Sequence, residues 1–120
     1  MELLKDLTIL SLEQATVLPY LTFRLAQDGM NVIRLEHPVY GDPNRLIGDN
    51  VLSEDRMNAY FLCINAGKKA LTLNLAEAEG RKIFHSLLKE LNIDIFATNQ
   101  LPKNYQKLGI DYEGLKALRP

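Results

Sequence analysis

The 120-residue sequence has one cysteine, no tryptophan and only two histidines. A single thiol, Cys63, excludes an internal disulfide framework and any zinc site built from several thiolates, and no metal site is expected. An excess of one charge is also missing: 14 Lys and Arg stand against 15 Asp and Glu, giving a formal net charge of −1. No run of like charges could serve as a nucleic-acid arm or an acidic tail. No apolar stretch approaches the ~20 residues that a membrane helix needs. The start, MELLKDLTILSLEQ, sets Lys5 and Asp6 before only a short apolar run. These absences predict a cytoplasmic protein that engages neither nucleic acid nor membrane. What is present, 47% hydrophobic and 24% charged residues, suffices for one globular domain with a real core.

Strand-like and helix-like patterns alternate along the chain. Residues 7–12 form a compact apolar and β-branched run bounded by Lys5-Asp6 and Glu13-Gln14, which predicts a strand. Leu18, Leu21 and Leu25 then recur at helical spacing. With Pro19 suited to a first turn and Gly29 to a left-handed close, they predict a helix over 19–28. NVIRLE, residues 31–36, reads as a second strand and completes a βαβ unit with parallel strands. Residues 37–57 hold His37, Pro38, Gly41, Asp42, Pro43, Asn44 and Gly48 with little periodicity and read as a long excursion. AYFLCI, residues 59–64, fits either a buried strand or one buried helical turn.

KALTLNL, residues 69–75, alternates Leu71, Leu73 and Leu75 with Thr72 and Asn74 and predicts a strand. Over residues 76–91, Ile83, Phe84, Leu87, Leu88 and Leu91 form one apolar stripe. Glu77 and Glu79 lie at the positive end and Lys89 at the other, so this is a helix packed on a sheet. IDIFAT, residues 93–98, predicts a further strand, and residues 102–108 a short helix between Pro102 and Gly109. Asp111 suits the cap of a last helix carrying Leu115 and Leu118. Alternating strands and helices give the fold class: α/β, a Rossmann-like parallel sheet with flanking helices.

A βαβ start invites a dinucleotide reading, but that fingerprint needs glycines in the first strand-to-helix turn so that backbone can approach a pyrophosphate. The turn here is Gln14-Ala15-Thr16-Val17-Leu18, without glycine, and no Walker A loop occurs. Ordinary NAD, FAD and nucleoside-triphosphatase chemistry is thereby disfavoured. Open parallel sheets still bind ligands beyond the carboxyl ends of their strands, where this turn sits with the residues after Glu36 and Asn99. Other conspicuous residues read as structure. Lys68 and Lys69 form an exposed basic pair, His85 is solvated on a polar helix face, Cys63 is a buried inert thiol, and Gly41-Asp42 is a turn.

Four segments, LSLEQATVLPY (10–20), GMNVIRLEHPVYGDPNR (29–45), AYFLCINAGKKALTLNLAEAEGRKIF (59–84) and DIFATNQLPKNYQKLGIDYEGLKALRP (94–120), together resemble the class III CoA-transferases. That family, the CaiB/BaiF type, includes formyl-CoA transferases and α-methylacyl-CoA racemases. The resemblance covers nearly the whole sequence. It implies that residues 1–120 are an N-terminal Rossmann-like CoA-binding segment, an incomplete part of the family fold. The partner it implies is a second copy, interlocked like a chain link, or a complementary C-terminal subunit.

By position, the resemblance makes Ala15, Thr16 and Val17 the CoA-contacting turn, with Gln14 beside them. His37 stands where relatives often carry Arg, and an imidazole, mostly neutral at pH 7, grips phosphate less well than a guanidinium. Leu73 and Ala76 fall at contacts after the KALTLNL strand, Ala76 replacing a lysine that in some relatives reaches phosphate. The family's Asn-Phe-x-Pro-Gly pattern becomes Asn99-Gln100-Leu101-Pro102-Lys103, which keeps Asn99 and Pro102 but loses the aromatic and the glycine. Lys107 stands where relatives set Arg against the nucleotide. Without the resemblance, the same residues read as a strand-to-helix turn, a helix cap and a solvated lysine.

The family's catalytic residue is an aspartate that attacks an acyl-CoA to form a mixed anhydride and then carries CoA as an aspartyl thioester. The resemblance places it beyond Pro120, while Asp94 and Asp111 match structural positions, so no catalytic residue is expected in this segment. The implied cofactor is coenzyme A, as part of an acyl-CoA substrate, and the implied acceptor is a free carboxylic acid. A racemase-type segment, or a truncated remnant that holds CoA or a partner chain without turnover, are the other readings.

Overall fold

Period-two burial sets the sheet. In β1 (Thr8–Leu12), Leu10 and Leu12 face one side while Ile9 and Ser11 face the other; in β2 (Asn31–Glu36), Ile33 and Leu35 oppose Val32, Arg34 and Glu36. Both strands are buried on both faces, as interior strands of a parallel sheet are. The computed structural model describes residues 3–120. It pairs four strands, all parallel, in the order β3-β2-β1-β4, with β3 at Lys69–Thr72 and β4 at Ile95–Thr98. Leu10 lies opposite Ile33 on one side and Phe96 on the other, and Leu35 opposite Leu71.

One face packs Leu10, Leu12, Ile33, Leu35 and Leu75 against Phe84 and Leu88 of α3 (Ala78–Glu90), with Ile93 and Ile110 closing the layer. The opposite face packs Ile9, Met30 and Val32 against Leu25 and Ala26 of α1 (Val17–Gln27). Further along the strands this second face turns polar. The excursion after β2 covers it, through a short 3-10 turn at Pro43–Leu46 and through α2 (Ala59–Cys63). The segment 59–64, readable either way from its sequence, is therefore helical, with Phe61 buried beneath it.

Element ends differ from the sequence pattern for local reasons. α1 starts at Val17 and places Pro19 within its first turn, where the missing N–H has no intrahelical partner to lose. β3 stops at Thr72, not at residue 75: Leu73 N donates once more to Glu36 O at 3.1 Å, and Asn74 then turns the chain by accepting from Ala76 N at 3.0 Å. α3 consequently begins at Ala78 and ends at Glu90. Only Phe84 and Leu88 of its stripe are fully buried, since Ile83 and Leu91 lie at the exposed edge.

β4 begins at Ile95 because Asp94 is occupied at the strand's start, where its carboxylate accepts from Thr8 N at 2.8 Å. Residues 102–108 divide into a 3-10 turn, Pro102–Asn104, and α4 (Tyr105–Leu108), which Gly109 closes at φ +68°. Asp111 caps α5 (Tyr112–Leu118) by accepting from Gly114 N at 2.9 Å. Two side chains depart from their sequence reading. His85 is half-buried with Nε2 2.9 Å from Gly109 O, so it ties α3 to the end of α4 instead of facing solvent. Cys63, the last residue of α2, is exposed because Phe61 and Ile64 take that turn's inward positions.

Candidate functional site

The carboxyl ends of the four strands converge on an open cleft of about 290 Å³. Its walls are the residues that follow each strand: Glu13 and Gln14 after β1, His37 after β2, Leu73 to Ala76 after β3, and Gln100 after β4. α4 contributes Lys107 and Leu108. Neighbouring strands β2 and β4 leave β1 in opposite directions, which makes this the switch point of the sheet, where parallel α/β folds place their ligands.

Five sequence-predicted site residues therefore line one cavity: Gln14, His37, Leu73, Gln100 and Lys107. Ala76 lines it too. Ala15, Thr16, Val17 and Asn99 are not among its walls and hold the adjoining turn. His37 Nδ1 accepts from Val39 N at 3.1 Å and Tyr40 N at 3.2 Å, which leaves Nε2 as the ring's donor. Thr16, at the start of α1, makes no side-chain cap bond; its hydroxyl lies 3.1 Å from Tyr60 Oη. The first-turn N–H groups of α1 are thus left without a side-chain acceptor from Thr16, an arrangement that favours an anion.

The β1–α1 turn is gripped from both sides. Asn99, beyond β4, accepts from Gln14 N at 3.2 Å and donates to Gln14 O at 2.8 Å, so one carboxamide engages both polar groups of one residue. From the other side, Asp42 Oδ1 accepts from Ala15 N at 3.2 Å and Asn44 Nδ2 donates to Ala15 O at 2.7 Å. Gly41-Asp42 is therefore more than a surface turn: Asp42 is fully buried and also takes Arg34 Nη2 at 2.9 Å.

Behind the cleft lies an ionic layer that the sequence reading missed. Glu13, 2% exposed, accepts from Ser11 Oγ at 2.7 Å, Thr22 Oγ1 at 2.6 Å and Lys68 Nζ at 2.7 Å. Lys68 is not solvated as its position in a basic pair implied. Its ammonium also donates to Pro19 O and Asn65 Oδ1, both at 2.8 Å, and the side chain is 1% exposed. Burial pushes the Lys68 ammonium pKa down, and the hydrogen bond and charge of Glu13 oppose this without cancelling it. Glu36 receives Nε and Nη2 of Arg45 in a bidentate pair, and both Arg34 and Arg45 lie over the Phe61 ring. Burial pushes the Glu36 carboxyl up, but the Arg45 hydrogen bonds and the charges of Arg34 and Arg45 outweigh it and hold the group below its ordinary value.

The two carboxylates that line the cleft, Glu13 and Glu36, are thus committed to ion pairs. Among the described residues, no cluster of three or more metal-ligating side chains occurs, and no helix is long and apolar enough to cross a membrane. A second cleft of about 540 Å³ lies across the sheet edge, between β4 and α5, lined by Leu88, Ile93, Phe96, Tyr105 and Leu115.

A family model described as CoA-transferase family III matches residues 4–120. A succinyl-CoA:glutarate CoA-transferase of Mus musculus is 30% identical over 122 residues, covering 100% of this chain and 27% of that protein. A cinnamoyl-CoA:phenyllactate CoA-transferase of Clostridium sporogenes is 42% identical over 98 residues, covering 79% of this chain and 23% of its own length. Among solved structures, a CAIB/BAIF family protein from Brucella suis superposes with a TM-score of 0.84 at 32% identity, over 97% of this chain and 30% of the other. The chain thus spans about a quarter to a third of the length of these proteins.

Proposed function

This chain belongs to CoA-transferase family III, and we propose on that premise that it is the N-terminal CoA-binding segment of an enzyme that transfers CoA from an acyl-CoA thioester to a free carboxylic acid. The observation that carries the reading is the cleft itself. Gln14, His37, Leu73, Gln100 and Lys107 arrive from different elements and line one cavity over the strand ends. Lys107 supplies a cation and His37 Nε2 a donor for phosphate oxygens. Leu73 and Leu75 give the cavity an apolar wall for the adenine or the pantetheine arm. A resident metal has no place in this reading.

The reaction needs a carboxylate that attacks the thioester carbonyl, expels CoA thiolate to leave a mixed anhydride, and then takes the thiolate as an aspartyl thioester with release of the first acid. Five acidic groups among the described residues are already engaged. Glu13 and Glu36 are held in ion pairs, Asp42 is enclosed, Asp94 is bonded to Thr8 N and Asp111 caps α5. The family resemblance sets the nucleophile in polypeptide outside these 120 residues, and in this reading the segment alone is inactive. The exposed apolar side chains Val17, Tyr20 and Leu21 on α1 and Leu46, Ile47, Val51 and Leu52 on the excursion, together with the apolar cleft beside β4, support a homodimer or a complementary C-terminal subunit as partner. The reading is that of a cytoplasmic enzyme.

Calorimetric titration of the 120-residue chain with CoA tests the binding half. Saturable binding that weakens severalfold on Lys107→Ala supports the reading, and affinity untouched by Lys107→Ala sinks this placement of the ligand. For the chemical half, the chain is incubated with acyl-CoA and a carboxylic acid acceptor and inspected by mass spectrometry. An aspartyl or glutamyl thioester on this segment would overturn the assignment of the nucleophile.

A further inference from the structure

Ala15 holds φ at +61°, a left-handed conformation that glycine takes freely and alanine only at a cost. Strain of this kind persists only where surrounding groups over-determine the backbone. Here they do. The Ala15 N–H donates to Asp42 Oδ1 at 3.2 Å, and the Ala15 carbonyl accepts from Asn44 Nδ2 at 2.7 Å. The Asn44 main-chain N–H in turn donates to the same Asp42 oxygen at 2.9 Å, so Asp42 also fixes the backbone that carries the Asn44 side chain. The pair is anchored in the sheet, because Arg34 of β2, 1% exposed, donates to the other Asp42 oxygen at 2.9 Å.

We propose that Arg34, Asp42 and Asn44 form a positioning device that locks Ala15 in its left-handed conformation and so presets the β1–α1 turn for the CoA nucleotide. In glycine-rich nucleotide folds the residue type permits the turn; in this chain a buried hydrogen-bonded clamp imposes it on an alanine. Freed from the clamp, Ala15 relaxes toward negative φ, which redirects Gln14 and the start of α1 relative to the cleft. Arg34, Asp42 and Asn44 act through Ala15 and are not themselves ligand contacts. The inference rests on the CoA reading of the cleft, yet the clamp can be measured without any ligand.

The experiment uses the 120-residue chain with CoA as the titrant. Asn44→Ala removes the donor to the Ala15 carbonyl and is expected to raise the CoA dissociation constant about tenfold, the factor that matches the strain of one left-handed alanine. In the Ala15→Gly background the same Asn44→Ala change is expected to cost less than about threefold, because glycine keeps the turn unaided. A general loss of structure would not be rescued in this way. Asp42→Ala, compared in the same two backgrounds, gives a second measurement. Wild-type affinity in a folded Asn44→Ala protein, or an equal loss in both backgrounds, overturns the proposal. Amide hydrogen exchange at Ala15 in the unmodified chain reads the clamp directly, and exchange at the free-peptide rate also overturns it. A protected Ala15 amide with no CoA binding by the unmodified chain would instead overturn the CoA reading, a separate failure.

Discussion

Replacing Lys68 by Met tests whether the ionic layer under α1 holds the fold together. The Lys68 ammonium spends its three hydrogens on Glu13 Oε1, Pro19 O and Asn65 Oδ1, all within 2.8 Å, and its side chain is 1% exposed. An exposed ion pair in its place would be worth about 0–1 kcal/mol. Removal of one member of a buried pair costs about 3–5 kcal/mol, because the remaining charge is stranded without water. Here the group left behind is Glu13: its other oxygen is used by Ser11 and Thr22, and the Arg34 guanidinium 3.9 Å from Oε1 offsets part of its charge, so the lower end of that range, about 3 kcal/mol, is expected.

Against a total stability of about 5–15 kcal/mol, that loss is large. With a urea dependence of about 1.5 kcal/mol per molar, the unfolding midpoint of Lys68→Met falls by about 2 M. Glu13→Gln removes the stranded charge, so the double variant is expected to recover about 2 kcal/mol relative to the sum of the single changes. Titration supplies an independent sign. Since burial lowers the Lys68 pKa on folding, the unfolded chain binds more protons in the window below the ordinary lysine value, and stability rises with pH there. Lys68→Met removes that contribution to the slope. A loss below about 1 kcal/mol, or additive single changes, would refute the account.

Gly80→Ala provides a test of opposite sign to the usual helix rule. Alanine in a helix interior normally stabilises by about 1 kcal/mol, but a Cβ at Gly80 would stand 2.0 Å from Asn74 O, so the change is expected to destabilise in thermal melts. Phe84→Ala empties the centre of the larger core and is expected to cost about 3–5 kcal/mol by urea denaturation. The Glu36 carboxyl is held below its ordinary value, so its pair with Arg45 contributes fully above the unfolded carboxylate range and is lost as pH falls through the lowered folded value. Glu36→Gln should flatten the acid limb of a stability-against-pH curve below about pH 4.3, and an unchanged limb would count against the pairing.

The apolar framework was legible because burial imposes a period. Leu10, Leu12, Ile33 and Leu35 alternate as strand residues must, and Phe84 with Leu88 marks a helix that packs on them. Ends were less legible, because Asn74 and Asp94 terminate or start elements through side-chain hydrogen bonds that a pattern of apolar residues does not register. The ionic layer hid behind the same periodicity. In NVIRLE, the alternation that buries Ile33 and Leu35 assigns Arg34 and Glu36 to the opposite face, which reads as solvent. That face is covered by the excursion after β2, which brings Asp42 to Arg34 and Arg45 to Glu36. A signal was present: charged residues alternate within an interior strand, and a long segment that follows carries complementary charges.

The site's outline follows from the rule for parallel sheets, but the conformation of its central turn is not written in the local sequence. Lack of glycine between Gln14 and Leu18 argues against ordinary NAD, FAD and nucleoside-triphosphatase chemistry, and it gives no sign of a left-handed residue. Ala15 nevertheless adopts φ +61°, because its N–H and carbonyl are held by groups 27 and 29 residues away. Local sequence cannot report strain imposed from a distance. The same argument bears on Asn99, which by position reads as a ligand contact. Its carboxamide pairs with both main-chain groups of Gln14, so its oxygen and one N–H are committed before any ligand arrives. In the CoA reading proposed above, recognition is left to side chains that line the cleft, such as Gln100 and Lys107, while Asn99 joins Asp42 and Asn44 in fixing the turn that they adjoin.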